Sequence, residues 1–250
     1  MANSSIYNKY FGSGGKHSGH AMYNLMGGAS RNKGKGIGTS SLLSLLNSKK
    51  EFLVAVFANL IAQLGITYFF MMNYTGADKK NFMFWGLVVV QFIIIIVLAL
   101  VPMPAWLKFI LFSVFSACSG MTLSFMKRSV DPTIIDMAIV GTLSIFGVMF
   151  LFGVTLILFG INLGSQFAAF LFYALLLLII VQVVMIFAKA KSSVLKGIYI
   201  FSLILFSLYI IYDTNNILQR DYYGDFITAS LDYYLDILNI FVDLVGMFDN

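Results

Sequence analysis

The chain has 250 residues, of which 60% are apolar and 11% charged, with a net charge of +5 and a mean hydropathy of +0.89. Soluble domains run nearer ~25% charged, and the apolar surplus here is gathered into runs of about 20 residues, enough for a helix to cross ~30 Å of hydrocarbon. Continuous stretches such as "GLVVVQFIIIIVLALV" exclude a membrane β-barrel, whose strands alternate polar and apolar residues, and the single cysteine, Cys118, excludes an intrachain disulfide or a cysteine zinc cluster.

Residues 1–50 are rich in Gly, Ser and Asn and carry basic residues but no acid. They show no apolar periodicity and read as a disordered basic tail next to the membrane. Nothing in them favours a nucleic-acid partner. Residues 51–250 read as one transmembrane domain with seven spans: 52–72, 84–102, 105–126, 134–155, 166–187, 196–214 and 226–247. "VPMP" (101–104) turns the chain between the second and third spans, because Pro breaks both flanking helices. "KRSVDP" (127–132) separates the third from the fourth. "GINLG" (160–164) loosens the chain before the fifth and also fits a GxxxG packing motif. The small residues Ser113, Ser116, Gly120 and Ser124 form a stripe suited to close helix packing, and Gln166 and Gln182 read as interhelical hydrogen-bonders or edge residues. Basic residues near the span ends are almost balanced between the two sides, so the positive-inside rule does not orient the chain.

Charge inside the spans is the informative feature, since an ionisable residue at membrane depth costs a few kcal/mol or more. In the last span Asp232, Asp236, Asn239 and Asp243 fall at offsets of 0, 4, 7 and 11, one stripe of a helix with ~3.6 residues per turn. That stripe cannot face lipid, so the seventh span is expected at the centre of the bundle or against a watery cavity. Tyr209, Asp213, Asn216 and Arg220 repeat the same offsets in the sixth span. Asp213 is then either an interfacial acid paired with Arg220 or a partner for the acids of the seventh span. In the second case Asp213 and Asp236 are expected within hydrogen-bonding distance and sharing one proton.

Several membrane enzymes drop out. Both histidines, His17 and His20, lie in the tail, so "ACSGM" (117–121) has no base in the membrane to make it a rhomboid-like serine centre. A metalloprotease fails for the same reason, and a retinal protein fails for want of a lysine in the last span. Tyr212-Asp213 with Asp236 resembles the aspartyl intramembrane proteases. The second acid, however, follows Tyr233-Tyr234-Leu235 instead of the Gly-x-Gly that those enzymes carry. The chain is not read as an enzyme, and no cofactor is called for.

"FSLYIIYDTNNIL" (206–218) and "SLDYYLDILNIF" (230–241) resemble the transmembrane Bax inhibitor motif family, supported by "DMAIVGTLSIFGVMF" (136–150) and "LGSQFAAFLFYALLLLIIVQVVMIF" (163–187). The resemblance implies an all-α, polytopic fold of seven transmembrane helices, two three-helix layers around a central C-terminal helix. It also implies a pH-regulated calcium leak, with Ca²⁺ as the permeant ion. Asp213 and Asp236 would then be the pH sensor and gating pair and, when ionised, oxygen ligands for Ca²⁺, with Asp232, Asn239, Asp243 and Asn216 as candidates for the ion pathway. A cell-death-suppressing role exercised with membrane-protein partners is implied as well. The alternatives are a non-conducting regulator that acts through those partners and, behind it, an intramembrane aspartyl protease. The implied location is the endoplasmic reticulum or Golgi in a eukaryotic or viral setting and the plasma membrane in a bacterial one. Two departures stand out. Ser119-Gly120 replaces a Glu-Gly frequent in the family's third span, and the second span has no arginine to hold the acid pair.

Overall fold

The computed structural model describes residues 39–76, 81–188, 191–220 and 222–249. The described residues form seven helices and no strands: α1 (Thr39–Asn73), α2 (Asn81–Leu100), α3 (Ala105–Lys127), α4 (Pro132–Leu158), α5 (Ser165–Ala188), α6 (Ser192–Gln219) and α7 (Phe226–Asp249). Six of them, α1 to α6, are long and apolar enough to cross a membrane. In α7 the aspartates lower the apolar content, and burial takes its place. Ile227, Ala229, Ser230, Tyr233, Tyr234, Ile240 and Val245 are almost wholly inaccessible, while Thr228, Asp232, Leu235, Asn239 and Val242 on the remaining side are half-buried. The chain is an all-helical, multi-pass membrane protein.

Two boundaries differ from the sequence reading. Helix α1 starts at Thr39, so residues 39–50 are helical and do not belong to a disordered tail. The rest of that tail lies outside the described residues. Helix α6 continues to Gln219, beyond the expected end at 214, so Asp213 lies inside a helix and not at its edge.

Local chemistry explains the helix ends. Pro104 precedes α3 in an extended conformation (φ −66°, ψ 150°); its ring fixes that φ, and without an N–H it cannot serve inside a helix that would join α2 to α3. Asp131 caps α4 by accepting from the Thr133 N–H at 2.8 Å, and Pro132 occupies the first helical position, where its missing N–H costs nothing. The Thr133 hydroxyl, followed by the Thr133 N–H, holds the Asp131 carboxyl below its ordinary range. At the other end of α4, Gly160 adopts a left-handed φ of 74°. Its N–H donates to the Ile157 carbonyl at 2.9 Å, and the next N–H, of Ile161, reaches Leu156 at 2.9 Å. This is a Schellman closure. "GINLG" is therefore a helix stop and not a packing motif: Gly164 has nothing near the place its Cβ would take.

The helices group into two units. The first comprises Lys50–Val130 and Asp221–Tyr234, hence most of α1, α2, α3 and the first part of α7. Within it, Gly120 sets α3 directly on the α1 backbone, where a Cβ would collide with the Thr67 carbonyl and come within 2.8 Å of Phe70 Cβ. The small-residue stripe of α3 thus serves close packing, as its composition suggested.

The second unit comprises Asp131–Arg220 and Leu235–Asn250 with the start of α1, hence α4, α5, α6 and the rest of α7. Gly153 brings α4 against α6, with room for a Cβ only 2.7 Å from Thr214 Cβ. Gly141 faces Leu244, and Gly246 faces the Tyr199 ring. Helix α5 is mostly exposed along Phe170, Phe172, Tyr173, Leu177 and Ile180, a surface suited to lipid. Gln166 and Gln182 lie on exposed positions of the same helix.

Candidate functional site: buried acids of α6 and α7

Nine consecutive residues of α6, Ile210–Leu218, are buried. An apolar helix that meets lipid on one side cannot do this, so this half of α6 is lined by protein. The run includes Tyr212, Asp213, Thr214, Asn215 and Asn216. Asn215 is pinned to the turn after α4: its amide donates to the Ile161 carbonyl and its Oδ1 accepts from the Leu163 N–H, both at 3.0 Å. Tyr212 packs beside Phe167 and under the Arg220 guanidinium, which lies 5.9 Å from its ring centre. Asn216 is buried, with its Oδ1 unpartnered.

Asp213 is 8% exposed and Asp236 3%. Both belong to the second unit. Tyr209, one turn before Asp213, lies in the electrostatic field of both carboxylates. The structure therefore gathers Asp213, Asp236 and Tyr209 in one neighbourhood. The rest of the α7 stripe divides. Asp243 is buried two turns further along, where it accepts a hydrogen bond from Ser202 and lies in the field of Tyr199. Asn239 is half-buried and turns its amide back to the Leu235 carbonyl at 2.7 Å. Asp232 falls in the first unit, half-buried, with the Tyr222 hydroxyl 3.5 Å from its Oδ2 and with Asp225 and Lys108 as charged neighbours.

Among the described residues no group of three or more His, Cys, Asp or Glu side chains is placed to hold a metal ion. Ca²⁺ takes about six to eight oxygen ligands. The two carboxylates Asp213 and Asp236 fall short of such a cage.

The sequence reading missed a polar row in the first unit. Asn59, Gln63 and Thr67, one turn apart on α1, are all buried. Asn59 donates to the Ser230 hydroxyl. Gln63 donates to Asn59 (3.3 Å) and Ser113 (3.2 Å) and accepts from Ser116 at 2.9 Å. The Thr67 hydroxyl meets the Ser116 carbonyl and the Tyr234 hydroxyl. Ser119 donates to Gln91 of α2 at 3.0 Å, and Gln91 in turn donates to Thr122 at 2.7 Å. The available signal was the spacing of "NLIAQLGIT", a helical stripe of uncharged polar residues.

Comparison with known proteins follows this geometry. A family profile described as "Inhibitor of apoptosis-promoting Bax1" matches residues 49–250. The chain is similar to Protein LIFEGUARD 1 of Arabidopsis thaliana, 34% identical over 114 residues, which are 43% of this chain and 47% of that protein. It is similar to the BI1-like protein of the same plant, 27% identical over 162 residues, 64% of this chain and 62% of the other. Bax inhibitor 1 of Schizosaccharomyces pombe is 29% identical over 215 residues, 81% of this chain and 78% of that protein. The chain thus spans less than two thirds of the two plant relatives' lengths.

Proposed function

The chain belongs to the Bax inhibitor-1 family of membrane proteins, and on that premise we propose that it is a pH-regulated calcium leak with a cell-death-suppressing role. Asp213 and Asp236 form its gate, in an endoplasmic reticulum or Golgi membrane, or the plasma membrane if the cell is bacterial. The observation that carries this reading is the burial of both carboxylates in one helical unit, around the same tyrosine. Two acids in a poorly solvated place cannot both ionise cheaply, so they share a proton. The shared proton draws α6 and α7 together. Its loss replaces attraction with repulsion, which gives the helix pair two arrangements biased by pH. Asn239 and Asp243 line the route on one side of the gate and Asn216 on the other, and Asp232 belongs to an entrance.

The test is Ca²⁺ flux into proteoliposomes over a pH series, with wild type beside Asp213→Asn. The amide does not titrate, so the mutant's flux is expected to flatten against pH. A mutant that follows pH as steeply as wild type removes Asp213 from the gate. The family description, an inhibitor of apoptosis-promoting Bax1, favours a second reading, a non-conducting regulator acting on membrane partners. Wild-type protein that carries no Ca²⁺ at any pH would select it.

A further inference from the structure

We infer that Thr142, Ser202 and Asp243 form a buried binding site for a small monovalent cation of the size of Na⁺. All three belong to the second unit, and the inference stands apart from the leak reading, since binding is measured without flux. Ser202 is 1% exposed, and Thr142 and Asp243 are each 3%. Ser202 donates a hydrogen bond to the Asp243 carboxylate. Asp243 Oδ2 and the Thr142 hydroxyl, by contrast, are buried with no hydrogen-bond partner among the described residues. Thr142 departs from the habit of the other helices. Ser116, Thr122, Ser144, Thr155 and Thr214 each donate to the carbonyl four residues back, the ordinary place of a helical hydroxyl. The Thr142 hydroxyl has left that place.

The register of the helices brings these groups to one level. Gly153 of α4 lies against Ile211 and Thr214 of α6, and α4 and α6, as alternate spans, run in the same direction. About three turns back along both helices come Thr142 on α4 and, on α6, the turn that holds Ser202. Helix α7 meets both helices at this level. Gly141, beside Thr142, faces Leu244, beside Asp243, and the Tyr199 ring covers Gly246. Helices packed this closely suit a small ion stripped of water. Chemistry then selects the occupant. A carboxylate at membrane depth is expensive without a counter-charge, and Asp243 makes no ion pair among the described residues. Its titratable neighbour is Tyr199, which also feels Asp249, and neither brings a positive charge. A water would satisfy the two orphan oxygens and leave the charge in place. A proton would cancel the charge, yet a Thr142 hydroxyl that accepted it could still donate to the Ala138 carbonyl, and it does not. A monovalent cation cancels the single charge and takes both orphan oxygens as ligands. Ca²⁺ would ask for about six to eight oxygens. Asp243 is less than two turns from Phe248 and Asp249, which are exposed at the end of α7, so the ion reaches it without crossing the membrane.

The experiment is thermal unfolding of the purified full chain in detergent, in NaCl and in choline chloride of equal concentration, for wild type, Asp243→Asn and Thr142→Val. Comparing the two salts within each protein cancels the effect of a substitution on stability itself. Buffering near pH ~9 keeps proton competition for a carboxylate small. The wild-type midpoint should lie about 3 °C higher in NaCl at about 150 mM, because a ligand that binds the folded state stabilises it. Asp243→Asn should abolish that difference, and Thr142→Val, which keeps the side-chain shape, should at least halve it. A wild type that melts alike in both salts holds only a proton or a water at Asp243, and the inference is overturned. A difference that persists in Asp243→Asn, or is undiminished in Thr142→Val, places the ion elsewhere and overturns it too. If Asp243→Asn is not recovered as folded protein, Thr142→Val decides alone: a difference cut by half or more supports the site, and a smaller loss overturns it.

Discussion

Asn215 shows how much a single uncharged side chain does in this bundle. It is fully buried and satisfies both a backbone N–H and a backbone carbonyl of the turn after α4. Asn215→Leu would leave the Leu163 N–H and the Ile161 carbonyl to find new partners. An unsatisfied buried group costs about 1–3 kcal/mol. Thermal unfolding in detergent should fall accordingly, and the Leu163 amide should exchange with solvent faster than in wild type. An unchanged melting temperature would mean that the turn is held elsewhere. Asp213 and Asp236 were legible in the sequence because charge at membrane depth is expensive and therefore conspicuous. Asn215, Asn59, Gln63 and Thr67 were not, because an amide or hydroxyl looks the same in sequence whether it caps a loop or lies at the centre of a bundle. Lys108 and Asp225 stand over one hundred residues apart, and no local pattern joins them.

At the scale of the helix, the ends were easier to read than the contacts. "VPMP" and "VDP" marked the starts of α3 and α4 through proline chemistry that operates locally. "GINLG" marked the break before α5, where the helix stops at Leu158 and restarts at Ser165, but its Gly-x-x-x-Gly spacing is no packing face, and only the left-handed φ of Gly160 separates the two. The cap of α4 gives a pH-dependent prediction. Its threonine partners hold the Asp131 carboxyl below its unfolded value, so the cap's contribution is complete above the unfolded value. It is lost as pH falls through the lower folded one. Wild type should therefore lose more thermal stability than Asp131→Asn on acidification from about pH 5 to about pH 2, since asparagine caps without titrating. Parallel losses in the two proteins would assign the acid sensitivity to other carboxylates.

For the whole molecule, the pattern of exposure predicts what touches lipid. Phe92 on α2 and Tyr173 on α5 are 58% and 67% exposed, whereas Ile240 on α7 is fully buried. The one native cysteine, Cys118, is buried, so a Cys118→Ala background suits single-cysteine labelling. Fluorophores at positions 92 and 173 should be quenched by a lipid-dissolved quencher, and one at 240 should not. Strong quenching at 240 would place α7 against the acyl chains and end the reading of it as an internal helix. The seven-helix count was legible because six apolar runs announce themselves and the seventh carries its stripe of acids. The grouping of helices into two units was not, since no internal repeat marks it.

Helix α7 supplies residues to both units, and this has a consequence for how the protein is made. It leaves the ribosome after α1 to α6, so for a time the nascent chain holds the hydroxyls and amides of α1 without Ser230 and Tyr234, their eventual partners. Each aspartate near the centre of a free helix opposes membrane insertion by ~3 kcal/mol. A segment bearing Asp232, Asp236 and Asp243 is therefore a poor candidate for insertion by itself. It enters the bilayer where waiting polar groups accept it, so the last step of assembly follows from the unfinished state of the helices already in place.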